Sequence, residues 1–176
     1  INEARRRDQS PIHEYIVDDV TKPIDQPNQK YTHATCLLAL QNIRHPQPLF
    51  DNVTKVLKSG GLFLIVINHP CFRIPRQTSW EIDPKSKIQY RKINRYLSPL
   101  EVPIITHPGE KNSPLTWSFH FPLSDYTQFL NKSNFVIKEI QEWVSDKESV
   151  GKSSKMENLS RHEFPMFMAL LCQKAS

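Results

Sequence analysis

The apolar run LFLIVIN, Leu62 to Asn68, opens directly into His69-Pro70-Cys71-Phe72-Arg73, with Arg76 three residues further on. An imidazole titrates near neutrality and can move a proton, and an arginine fork can clamp a carboxylate or phosphate. From Cys71 to Tyr96, seven Lys and Arg residues stand against two acids, so this segment carries the whole net charge of +5. It also holds Phe72, Trp80, Tyr90 and Tyr96, and it follows neither the helical nor the strand period. The expectation is an irregular insertion, either a solvated basic surface or a lid and substrate wall. For His69 alone, an ordinary hydrogen bond to backbone at a strand exit weighs as much as chemistry.

The elements that must position these residues alternate between strands and helices. INEARRRDQ reads as the tail of a helix, and Ile12 to Val17 as a strand ending at Asp18-Asp19. Residues 21 to 30 form a polar loop, and HATCLLAL follows as a buried strand that turns irregular near Leu38. Leu49, Val53, Val56 and Leu57 recur at helical spacing with Phe50 beside them, Pro48 suits the first turn, and Gly60 or Gly61 suits a left-handed end. Leu62 to Asn68 is apolar on both pleat faces, which marks a central strand of a covered sheet. In such sheets functional residues collect just beyond the carboxyl ends of the strands, which is where His69 to Arg76 would lie. Further on, Ser124 is a plausible N-cap for a helix through Leu130, FVIKEIQEWV is a strand, residues 145 to 163 are a polar loop, and PMFMALLC is the last strand, antiparallel to the one before it. The fold class expected is α/β, a doubly wound Rossmann-like sheet, parallel except for one reversed strand.

The 176 residues suffice for one core and one domain. No apolar run reaches the roughly 18 to 20 residues that span a bilayer. Cys36, Cys71 and Cys172 are odd in number and widely spaced, against a disulfide framework or a zinc site. A soluble, cytoplasmic protein with no membrane partner and no metal is expected.

Four segments then carry a resemblance. VLKSGGLFLI, Val56 to Ile65, resembles the helix-to-fifth-strand signature of the class I S-adenosylmethionine-dependent methyltransferases. Asp18-Asp19-Val20 is similar to their acidic adenine-side motif, CLLALQNIRHP to the segment after the fourth strand, and FHFPLSDYTQFLNKSNFVIKEIQE to a block of the small-molecule members. The resemblance covers nearly all of the chain, in the family's order. It departs in one large respect: all four glycines lie at or beyond Gly60, so the glycine-rich cofactor loop, the first strand and the ribose-binding acid are missing. Thr32 stands where the family often has Asp. The chain looks like a partial, N-terminally truncated methyltransferase domain spanning 1–176, with an insertion at about 69–118 as the acceptor cap.

What the resemblance implies is S-adenosyl-L-methionine as cofactor and methyl transfer to a small acceptor, and the charge of the insertion suggests an anionic one. Asp19, with Asp18 less favoured, would accept the adenine amino group, Val20 would touch the ring edge, and Leu37 and Leu38 would face the methionine part. His69 or His120 could act as base and Tyr126 could orient the acceptor. Phe72, Arg73, Arg76, Trp80 and Arg91 would line the acceptor pocket. The alternatives are a nucleic-acid acceptor and a non-catalytic remnant that binds or oligomerises. With the first strands missing, residues 1 to 30 should dock on the open sheet edge, leave it free for dimerisation, or stay loosely attached.

Overall fold

The computed structural model describes residues 1–106, 109 and 113–176. In chain order the elements are α1 (Asn2–Arg7), β1 (Tyr31–Leu37), a 3-10 turn (Leu40–Asn42), α2 (Gln47–Val56), β2 (Leu57–Asn68), β3 (Thr78–Asp83), β4 (Ile88–Ile93), β5 (Leu100–Ile105), β6 (Leu115–His120), α3 (Leu123–Lys132), β7 (Phe135–Trp143), α4 (Ser154–Glu163) and β8 (Phe167–Lys174).

One sheet organises the molecule, with strand order β1-β2-β8-β7. β2 is central as expected: it runs parallel to β1, Cys36 opposite Ile65, and antiparallel to β8, Ile65 opposite Leu170. β7 is antiparallel to β8, so β8 is the single reversed strand. This is the Rossmann-like, mostly parallel α/β sheet. Phe63, Ile65 and Ile67 of β2 are buried with Leu170 and Cys172 of β8. α2 and α3 close over them, Phe50 meeting Phe63 edge-on with ring centres 6.2 Å apart and stacking on Phe129 at 6.0 Å. Polar bonds seam the two helices together: Ser133 Oγ donates to Asp51 Oδ1 at 2.5 Å, and Gln47 Nε2 donates to Ser133 Oγ at 2.7 Å.

Six expectations are corrected. Ile12 to Val17 is not a strand: no strand lies beside it among the described residues, and Ile12 and Val17 are exposed. Within the segment Tyr15 O accepts from Arg5 Nη2, and just beyond it Asn52 Nδ2 donates to the carbonyls of Val20 and Lys22. β1 is an edge strand that starts at Tyr31, and of its residues only Cys36 is buried. α2 ends at Val56, before the glycines, because Leu57 already has extended backbone. Gly60, at φ 72°, lies in a bulge where β2 spends residues 57 to 62 against residues 31 to 33 of β1. A Cβ on Gly61 would stand 2.9 Å from the Lys58 carbonyl oxygen and 3.2 Å from that of Thr32, so only glycine fits there.

The basic segment is not irregular. It forms a ribbon, β3 with β4, and the rest of the expected insertion a second, β5 with β6, reaching His120; residues 107, 108 and 110–112 of the insertion lie outside the described residues. The β3–β4 turn is closed by Asp83, whose carboxylate accepts from Lys85 N and Ser86 Oγ. Ser124 does not cap α3, which begins at Leu123 after Pro122. Residues 154 to 163 form α4 rather than loop, held to the first ribbon by Ser160 Oγ donating to Gln89 O at 2.8 Å. Among the described residues no helix is long and apolar enough to cross a membrane.

Candidate active site

The carboxyl ends of β1 and β2 lie side by side, Leu37 opposite Val66, and two clefts open beside them. The backbone leaving β1 takes a left-handed turn at Leu38, φ 51°, whose N–H still donates to Val66 O at 2.8 Å. A residue with a side chain pays about 1 to 3 kcal/mol for such a conformation, and strain of this kind gathers at functional rims. The loop that follows serves both clefts: Ala39 and Ile43 line one, Gln41 and Asn42 the other.

The first cleft, about 260 Å³, is mainly apolar and brings Val20 and Leu37 together with Ala39, Ile43, Val53 and Phe63. Of the residues expected near the cofactor, these two meet. Leu38 is half-exposed outside this lining. Asp19 is occupied by its own turn, its Oδ1 accepting from Thr21 N at 3.0 Å and Thr21 Oγ1 at 2.7 Å, which holds the carboxyl below its usual range. Asp18 Oδ1 accepts from Asp19 N.

The second cleft, about 410 Å³, lies beyond Asn68. Arg73 and Arg76, from the loop after β2, and Arg91, from β4, converge on it, and no carboxylate lines it among the described residues. Arg73 lies over the Phe167 ring at 4.7 Å. Arg91 is pinned at one edge, Nε donating to Phe72 O at 2.8 Å and Nη2 to Thr78 Oγ1 at 2.7 Å, with Trp80 under its guanidinium at 5.0 Å. Burial, and then the charge of Arg73, lower the pKa of Arg91. The ion pairs of the described residues fall elsewhere, on Arg6, Arg7, Arg44, Lys92 and Arg161 among others. Arg76 holds a left-handed backbone, φ 57°, at the same rim.

Phe72 and Trp80 do not line this cleft; both pack edge-on against Phe164, and together they hold Arg91, Phe72 by its carbonyl and Trp80 by its ring. Tyr126 is in the hydrophobic core, and burial pushes its hydroxyl far above the usual phenol range. His120 is buried at the end of β6, two residues past the cleft-lining Ser118, with Nε2 on Tyr96 O at 2.7 Å. His69 is also buried, and both its nitrogens are engaged, by Glu142 and by two backbone amides. Sequence reasoning missed Asn68, Gln41, Ser118 and Glu142. Only Asn68, the one polar residue ending an apolar strand, left a readable signal.

Burial lowers the pKa of His120, the Tyr96 carbonyl opposing it. The unfolded chain therefore takes up this proton first as pH falls. The stabilising contribution is complete above the ordinary value of 6.5 and fades below it. The urea midpoint should fall between pH 7.5 and 5 (roughly, around that value) more steeply in the wild type than in His120→Gln; equal slopes would remove this role.

No family model and no curated protein matches the chain. Solved structures do. An S-adenosylmethionine-dependent methyltransferase of Mesorhizobium loti is 26% identical, with a TM-score of 0.70 over 97% of this chain and 74% of that one. A Listeria monocytogenes protein assigned to the same enzymes is 22% identical, with a TM-score of 0.77 over 99% of this chain and 75% of that one. The chain shares the fold of the class I S-adenosylmethionine-dependent methyltransferases. A methyltransferase of Clostridium acetobutylicum agrees in fold at 18% identity and a TM-score of 0.58. In open α/β sheets ligands bind beyond the carboxyl ends of the strands, which is where both clefts open.

Proposed function

We propose that this methyltransferase chain uses S-adenosylmethionine to methylate a small acceptor bearing a carboxylate or phosphate. The observation that carries the acceptor class is the convergence of Arg73, Arg76 and Arg91 on one cleft that no carboxylate lines among the described residues. Guanidinium groups gathered on one cleft repel one another, and a bound anion relieves that repulsion. A cleft of about 410 Å³ suits a compact anion better than a polynucleotide backbone, which is tracked along an extended groove.

S-adenosylmethionine, when bound, supplies the electrophilic methyl group. The apolar slot of Val20, Leu37, Ala39 and Ile43 fits the flat part of that cofactor. The loop 39–43 then walls one cleft from the other, and Arg73, Arg76 and Arg91 fix the acceptor's orientation. Orientation of this kind can be worth about 7 to 11 kcal/mol of a barrier. His120, kept neutral by burial, is the better-placed proton acceptor of the two histidines, because Nε2 is bonded to Tyr96 O and Nδ1 keeps a lone pair.

The chain by itself should bind the cofactor weakly. Its glycines lie at 60, 61, 109 and 151, none of them in a loop ahead of β1 that could cradle the cofactor with backbone N–H groups. Isothermal titration of the 176-residue chain is expected to give a dissociation constant well above micromolar. Binding near 1 µM, about −8 kcal/mol, would overturn this placement of the cofactor. The activity itself is tested by release of S-adenosylhomocysteine with a panel of anionic and neutral hydroxyl and amine acceptors. Equal turnover of both groups would sink the anionic reading.

A further inference from the structure

The imidazole of His69 has a use other than proton transfer. It leaves β2 at the rim of the arginine cleft, with 3% of the residue exposed. Nδ1 accepts from Cys71 N at 3.1 Å and from Phe72 N at 3.3 Å, so that nitrogen carries no proton. The proton is on Nε2, which donates to Glu142 Oε1 at 2.7 Å. Neither nitrogen is left to face a reactant. The turn is closed by Arg73 N donating to His69 O at 2.9 Å, and the Phe72 ring covers the imidazole with centres 4.7 Å apart.

Two arginines depend on that turn. Arg73 is its last residue. Arg91 comes from β4 and is anchored to it, since Phe72 O accepts from Arg91 Nε at 2.8 Å. We propose that His69, oriented by Glu142, is a positioning residue that holds the 69–73 turn and thereby sets Arg73 and Arg91 in the cleft. As a statement about acceptor binding, it rests on the reading of that cleft as the acceptor site.

The two bonds of the ring can be separated by substitution. Asn at 69 places its carboxamide oxygen near the position of Nδ1 and keeps the turn capped. Gln at 69 reaches toward Glu142 with its amide nitrogen and loses the cap. The measurement is hydrogen exchange of the Arg91 Nε–H by NMR, its signal assigned by its disappearance in Arg91→Lys. Exchange should accelerate about tenfold or more in His69→Gln and less than about twofold in His69→Asn. Wild-type exchange in His69→Gln, or equal acceleration in both variants, would overturn the proposal. Should His69→Gln not fold, Glu142→Ala takes its place: the ring loses the bond that fixes its orientation over the Cys71 and Phe72 amides, so exchange should accelerate beyond about twofold, and an unchanged Arg91 signal overturns the assignment. Titration of the wild type with inorganic phosphate reports on the cleft separately. No response to phosphate, together with accelerated exchange in His69→Gln, would support the positioning role and sink the acceptor reading.

Discussion

Replacing Arg91 by alanine should raise the Michaelis constant for the acceptor by about two orders of magnitude and leave S-adenosylmethionine affinity unchanged. Removing one partner of a buried, hydrogen-bonded charge pair costs roughly 2 to 5 kcal/mol, or about 30- to several-thousand-fold in affinity. Arg91 falls within that range because it is half-buried and already held on Phe72 O and Thr78 Oγ1. Its side-chain entropy is spent before an acceptor arrives, so the full interaction is available for binding. Arg73 and Arg76 are more exposed, and alanine at either should cost less. Arg91→Lys separates charge from shape. An ammonium keeps the positive charge but cannot hold Phe72 O and Thr78 Oγ1 while facing the cleft, so its loss should approach that of alanine. The loss of stabilisation by inorganic phosphate in thermal unfolding gives the same ranking without a known acceptor. A Michaelis constant within about twofold of wild type in Arg91→Ala would return the segment to a solvated surface (twofold being about 0.4 kcal/mol).

How far the sequence announced this site depends on what kind of force built each part. β2, β7 and β8 were legible because burial of Phe63, Ile65, Phe135 and Leu170 imposes a pattern on the residues themselves. α2 was legible from Leu49, Phe50, Val53 and Val56, although its end was not, because Gly60 and Gly61 serve a bulge against β1. The two ribbons were hidden. β3 and β4 pair through backbone with only intermediate or exposed side chains, so no apolar period betrays them. α4 was hidden for a related reason: its stability comes from contacts with β4, such as Ser160 to Gln89, that lie 71 residues away in sequence. Ile12 to Val17 shows the converse, a strand-like sequence with no neighbouring strand among the described residues to complete its hydrogen bonds. Arg73, Arg76 and Arg91 could be named from composition. Their convergence, and the place of Glu142 beside His69, exist only once β4 and β7 are folded against the end of β2.

Phe63→Ala should destabilise the chain by about 3 to 5 kcal/mol, a large share of the 5 to 15 kcal/mol typical of a whole domain. Phe63 has no exposed surface and sits in the central strand between Ala34 and Cys172. Its ring meets Phe50 of α2 at 6.2 Å and Phe135 of β7 at 5.5 Å, linking the helix layer to the far edge strand of the sheet. Neighbours on that many elements cannot all move inward, so the cavity left by truncation should persist rather than collapse. The measurement is the urea midpoint at constant slope, and a loss below about 1 kcal/mol would mean the core repacks freely around the site. The same residue reaches the floor of the apolar slot beside Val20 and Leu37. Phe63→Leu, which retains most of the volume, should preserve the fold at a smaller cost while deepening that slot. Weaker binding of a flat adenine compound such as adenosine to a still-folded Phe63→Leu variant would tie the slot to the cofactor; unchanged binding would place the adenine elsewhere.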